Sequence, residues 1–213
     1  MRNIVTRVMS RVWIKRKTSK RLFLAVPIPL QWSEALSSLQ ESVKSRHIMG
    51  AVPTRWTERD SLHMAVRFIG NVDERCIPSL VTTIRRLLRE VRPFELPFES
   101  AHVATVDDPK MIWATFRNVK PFQQVVTRST RRIAKFLFKE CNGTVMHNGH
   151  DVIPHVTLAR LNGTVSFSAD VPGNMLFPKA LPVSSLVLYE SRTFSTGSVY
   201  HTIATFPLND IRI

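Results

Sequence analysis

Two short stretches of this chain could carry chemistry, and they look like one motif written twice. His63-Met64-Ala65-Val66 and His155-Val156-Thr157-Leu158 each follow a histidine with an apolar residue, a small or hydroxyl residue, and a second apolar residue. Both lie in apolar runs that read as strands. Alternate side chains of a strand share a face, so His63, Ala65 and Arg67 are expected together, with Met64, Val66 and Phe68 turned to the core. His155 and Thr157 likewise share a face, about 7 Å apart along the strand, while Val156 and Leu158 point inward. A histidine and a hydroxyl so spaced can flank one phosphate. The hydroxyl donates to a nonbridging oxygen while the imidazole reaches the attacking or leaving oxygen. An imidazole with a pKa of about 6.5 offers both protonation states near neutrality, so two of them can take one proton and give another.

Two arginines follow the motifs. Arg67 falls on the face of His63 and is read as a phosphate clamp, whereas strict alternation turns Arg160 away from Thr157 unless a bulge intervenes. The cluster His147-Asn-Gly-His150-Asp151 has a metal-like His-x-x-His spacing but lies in a turn-like segment without further ligands, so neither a metal nor a cofactor is expected. Trp56 and Trp113 lie near the motifs and suit either base stacking or the core. The chain shows no phosphate-cradling Gly-rich loop, zinc motif or nucleophilic serine elbow.

The elements that must position the histidines can be read from periodicity. Amphipathic helices are expected over about 31–46, 73–91 and 121–140, the second with Asp73 as its N-cap and Pro78 in its first turn. Strands are expected over 21–28, 62–69, 94–105, 111–117, 154–161, 185–192 and 199–206, with irregular stretches over 46–60 and 162–182. That order predicts an α+β fold with largely antiparallel sheets. Each half runs strand, helix, histidine strand, which predicts an internally duplicated, two-lobed domain with one histidine from each lobe in a central cleft and the helices outside.

Composition narrows the partners. At 44% hydrophobic and 22% charged residues the chain is that of an ordinary globular protein. Its longest apolar stretch, Leu22–Leu30, is far short of the about 20 residues that span a bilayer, so no membrane partner is expected. The net charge of +14 is uneven: eight basic residues and no acid precede Leu22. Residues 1–20 therefore read as a basic leader, either a mitochondrial transit peptide or an arm on RNA phosphates, ahead of a domain over 21–208 and a tail over 209–213. The remaining positive excess favours a polyanionic partner. Cys76 and Cys141 stand in unrelated contexts and predict no disulfide framework.

Taken together, Arg21-Leu-Phe-Leu-Ala-Val-Pro-Ile-Pro, Leu62-His-Met-Ala-Val-Arg-Phe-Ile-Gly-Asn-Val, Pro154-His-Val-Thr-Leu-Ala-Arg and Leu188-Tyr-Glu-Ser-Arg, followed by Tyr200 and Phe206, resemble the 2H phosphoesterase superfamily. They are most similar to its RNA 2′,3′-cyclic phosphodiesterase branch, the 2′-5′ RNA ligase-like proteins, over residues 20–208. The resemblance implies two α+β lobes around a cleft and metal-independent opening of a 2′,3′-cyclic phosphate to a 2′-phosphomonoester. It implies a base and an acid, taken as His155 and His63 respectively although the sequence leaves that order open, with Thr157 binding phosphate and Arg160 as a further ligand. Ala65 departs from the family's Thr or Ser, and one lost oriented donor typically costs about 10²–10³ in rate. The departure leaves a second reading open: a 2H fold kept as an RNA-contacting subunit of a ribonucleoprotein, such as a mitochondrial ribosome or its assembly intermediate.

Overall fold

Two antiparallel sheets carry the chain, and each contains one histidine strand. The computed structural model describes residues 18–45, 54–104, 111–141, 152–162, 168–169, 177–194 and 197–209. The elements in order are β1 (Ser19–Pro27), α1 (Leu30–Ser45), β2 (Thr54–Trp56), β3 (His63–Asp73), α2 (Ile77–Leu88), β4 (Phe94–Ala104), β5 (Met111–Phe116), α3 (Lys120–Glu140), β6 (His155–Leu161), β7 (Ser168–Ala169), β8 (Ala180–Val183), β9 (Ser185–Phe194) and β10 (Gly197–Pro207). One sheet has the order β10-β9-β1-β3; the other runs β2-β6-β5-β4-β7, with β8 pairing the first residues of β4. The α+β class, the three helices and the seven expected strands are all present, and β2, β7 and β8 occupy parts of the stretches read as irregular.

The lobes are not the two halves of the chain. β1 and β3 join β9 and β10 from the far end, while α1 leaves β1 to pack on the other sheet. There Trp32 is buried among Phe98, Phe116 and Phe177, and its indole N–H donates to the carbonyl of Ala180 at 3.1 Å. α2 and α3 pack on each other and on the first sheet, with Leu80, Ile84, Leu88, Phe122, Val125 and Ile133 facing inward. β3 and β6 lie beside one another, so the chain's repeated crossing brings the two histidine strands together at the junction of the sheets. Among the described residues no helix is long and apolar enough to cross a membrane. Residues 1–17, which make up most of the basic leader, lie outside the described residues.

Asp73 caps as expected, but a short 3₁₀ turn rather than α2 itself, accepting from the backbone N–H of Arg75. Pro78 stands in the first turn of α2, where its missing N–H has no intrahelical partner to lose. The reading of the cysteines needs correcting. Cys76 precedes α2 and Cys141 follows α3, and because the start of one helix meets the end of the other the two form a disulfide with Cα atoms 6.1 Å apart. A pairing made by helix packing leaves no trace in the local context of either residue. The bridge joins residues 65 apart, a loop whose closure stabilises by about 4 kcal/mol in the chain-entropy account. Denaturant titration with and without dithiothreitol should show a stability loss of up to that size for the native chain and none for Cys141→Ser.

Candidate active site

The site begins with an irregularity shared by both histidine strands. Burial along His63–Ile69 matches burial along His155–Leu161 position by position: the histidine and the residue two on are half-buried, the fourth and fifth positions are buried, the sixth is exposed. In β3 the ladder runs Ala65 opposite Ala25, then Arg67 opposite Leu24, so Val66 is an extra residue. In β6 it runs Thr157 opposite Trp113, then Ala159 opposite Ile112, so Leu158 is extra. Each is a β-bulge, which puts two residues against one and reverses the alternation beyond it.

The bulges rearrange the arginines. Arg160, opposite Met111 and Arg55, lies on the face of His155 and Thr157, and its guanidinium donates to the sulfur of Met111 at 3.2 Å. Arg67 goes the other way. It sits level with core residue Leu24, 3% exposed, and burial lowers its pKa; it does not share a face with His63 and is not a clamp there. Phe68, expected in the core, takes the outward position and is half exposed beside Phe23. A second shift in β3 falls at Gly70, whose φ of +86° favours a residue without a side chain.

The bulge in β6 is held from α1. Gln40 is buried, and its amide donates to the carbonyls of both Leu158 and Thr57, each at 2.9 Å, while the Thr57 N–H also donates to Leu158. The carbonyl of the extra residue is thereby satisfied without the ladder. A polar side chain on a helix face otherwise made of Trp32, Leu36, Leu39 and Val43 was the available signal for this role.

Both histidines are oriented by the same device. The Nδ1–H of His63 donates to the carbonyl of Ser61, and that of His155 to the carbonyl of Ile153, each two residues back and each at 2.8 Å. A carbonyl only accepts, so Nδ1 carries hydrogen and Nε2 is left to exchange a proton. Burial lowers the pKa of both rings, partly offset by these carbonyls. His63 is lowered further by the charges of His155 and Arg160, which places it within reach of both. Trp113 stacks on His155, with centroids 3.8 Å apart and planes 18° from parallel, so it serves the histidine itself. Trp56 is instead covered by the ammonium of Lys44, 5.0 Å from its ring.

Sequence reasoning missed the wall on the β3 side. Tyr200 packs edge-on against His63 at 4.8 Å, Phe23 lies 4.9 Å from it, and Tyr189 stacks on Phe23 at 5.4 Å. These come from three strands, and each alone reads as a core aromatic. Tyr189 and Glu190 divide the motif they share: Tyr189 faces the site, while Glu190 is buried in an ion pair with Lys20 and Arg192. Arg55 was also missed; it is the cross-strand partner of Arg160, and Gly197 at the tip of the β9–β10 hairpin abuts its guanidinium. Among the described residues Thr157 makes no hydrogen bond through its hydroxyl, and no group of side chains could hold a metal. His147, His150 and Asp151 lie outside the described residues.

Known proteins were compared with this arrangement. The family described as the 2′-5′ RNA ligase superfamily matches residues 29–193. An RNA 2′,3′-cyclic phosphodiesterase of Methanothermobacter thermautotrophicus is 24% identical over 88% of this chain and 98% of that protein, and one of Thermotoga maritima is 22% identical over 86% and 92%. A Thermus thermophilus crystal structure superposes with a TM-score of 0.73 at 23% identity, covering 88% of this chain and 97% of that one. E. coli LigT complexed with 3′-AMP superposes with a TM-score of 0.65 at 19% identity, covering 90% and 98%. Because the family match spans well over half of the sequence, the chain belongs to the 2′-5′ RNA ligase superfamily, the 2H phosphoesterases.

Proposed function

We propose that the protein is a metal-independent RNA 2′,3′-cyclic phosphodiesterase that opens the cyclic end to a 2′-phosphomonoester. The observation that carries this reading is the pair of histidines, one from each sheet, each with Nδ1 tied to a carbonyl and Nε2 left for proton transfer. The activity named for the Methanothermobacter and Thermotoga relatives agrees with it.

The cyclic phosphate sits toward β6. Thr157 donates to a nonbridging oxygen and Arg160, brought to the same face by the bulge, offsets the charge that develops. His155 takes the proton of the attacking water, and His63 protonates the 3′ oxygen as its bond to phosphorus breaks. The aromatic wall of Phe23, Tyr189 and Tyr200 receives the terminal nucleoside.

A second reading has one observation in its favour. Ala65, opposite Ala25, supplies no donor on the β3 side, as expected of a 2H fold kept for RNA contact within a ribonucleoprotein. Tyr189 and Tyr200 beside His63 are the hydroxyls able to take over that role. Burial raises the pKa of Tyr189, so its phenol keeps its proton and remains a donor.

Three outcomes test the reading. A short RNA ending in a 2′,3′-cyclic phosphate, incubated with EDTA, is converted to the 2′-phosphate by the native protein and not by His63→Ala or His155→Ala. A substrate that releases 4-nitrophenolate, which needs no proton to depart, restores turnover to the variant lacking the acid alone. Binding without conversion by the native protein would favour the ribonucleoprotein reading.

The pH profile follows from the lowered histidine pKa values. Burial disfavours the protonated rings, so each loses its proton below the ordinary 6.5. kcat/KM, which reports the free protein, should therefore peak on the acid side of pH 6.5. kcat should peak higher, because bound phosphate favours the cationic ring. Stability moves with the same protons: as pH falls through 6.5 the unfolded chain protonates first, so unfolding free energy declines until the folded rings titrate too.

Finally, Ala65→Thr should raise kcat by up to about 10²-fold by restoring a donor. Tyr200→Phe should lower it in the native background more than in Ala65→Thr, if Tyr200 supplies the donor. Equal effects in both backgrounds would remove that role.

A further inference from the structure

The outward side of α3 is unusually basic. Arg128, Arg131, Arg132, Lys135 and Lys139 form pairs three and four residues apart (Arg128 with Arg131 and Arg132, Lys135 with Arg131, Arg132 and Lys139), a stripe about 16 Å long. All five are exposed, and among the described residues none forms an ion pair. The helix holds a single acid, Glu140 at its last residue, and the neighbouring α2 ends in Arg85 and Arg86 with no acid at all. Like charges three and four residues apart weaken a helix, and among the described residues no acid offsets them. A row of phosphates would: it neutralises each cation and releases counterions.

A second observation points to nucleic acid. Phe138 is 73% exposed and lies on the ridge of Arg131 and Lys135, seven and three residues on respectively. An isolated aromatic among cations suits a base stacked against it. It does not suit a membrane surface, because the apolar side of α3, with Phe122, Val125, Ile133, Phe136 and Leu137, is already spent on the core. α3 also packs against β3, the strand that carries His63.

We propose that the Arg128–Lys139 stripe of α3 is a second RNA contact, which grips the phosphate backbone of the RNA whose end enters the cleft. The proposal rests on the reading of the cleft as an RNA-end site, and it accounts for an excess of positive charge placed away from the histidines.

The test measures binding and turnover separately. Fluorescence anisotropy with a labelled single-stranded RNA of about 20 nucleotides ending in a 3′-hydroxyl compares the native protein with the combined variant Arg128→Gln, Arg131→Gln, Arg132→Gln, Lys135→Gln. The variant should bind at least tenfold more weakly. The slope of log affinity against log salt should become shallower by about 3, from about 0.7 per phosphate contact. Phe138→Ala should weaken binding without changing that slope. A dinucleotide cyclic phosphate, too short to reach α3, should be turned over by native and variant proteins with equal kcat and KM. Unchanged affinity and slope for the long RNA would overturn the proposal, as would equal losses on dinucleotide and long RNA. Loss of binding to phosphatidylserine vesicles with RNA binding intact would overturn it in favour of a lipid surface. If neither protein turns over the dinucleotide while the binding difference stands, the cleft reading fails and the stripe survives.

Discussion

One extra residue in each of two strands decides what this site contains. Without the bulge at Leu158, alternation would carry Arg160 to the core side and leave Thr157 with no cation beside it; with it, His155, Thr157 and Arg160 share one face. The bulge leaves a carbonyl outside the regular ladder, and a buried unpaired carbonyl costs about 1–3 kcal/mol. The Thr57 N–H and the Gln40 amide both donate to the Leu158 carbonyl, and Gln40 spends its second amide hydrogen on Thr57, so the bulge carbonyl is satisfied from two sides. A helix residue thus braces the irregularity that sets the face of Arg160.

Burial is the second constraint, and it acts on both halves at once. The proposed chemistry asks for rings dry enough to move protons without competition from water, yet a dry imidazole resists protonation. The carbonyls of Ser61 and Ile153 restore part of the lost basicity while fixing which nitrogen is free. Trp113 stacked on His155 and Tyr200 edge-on to His63 supply the desolvation. Orientation and tuning come from the same few contacts.

What the sequence revealed follows from what is local. The histidine strands, the three helices and the α+β class are periodic features, and Phe122, Val125 and Ile133 already mark the inner face of α3. The bulges were harder. In β6 the doublet Leu158-Ala159 breaks the alternation openly, but in β3 the matching doublet is Val66-Arg67, and an arginine in a core position hides it. Only the equivalence of the two motifs could have transferred the signal from one to the other. The Cys76–Cys141 bridge and the aromatic wall depend on packing between distant segments, so no spacing rule reaches them.

The two half-sites share a frame and have diverged in content. At matched positions β6 carries Thr157, Ala159 and Arg160 where β3 carries Ala65, Arg67 and Phe68. The hydroxyl and the exposed cation are thus on one side, and on the other a methyl and an exposed ring. On the proposed reading, a symmetric pair would hold a phosphate equally from both sheets, whereas this pair would hold it from β6. On that reading, charge drawn toward β6 would orient an anion there, and the aromatic surface beside His63 would favour a ring system over a second anion. On this account Ala65 is half of a polarity gradient across the cleft, and Phe68, delivered outward by the same bulge that buries Arg67, is the other half.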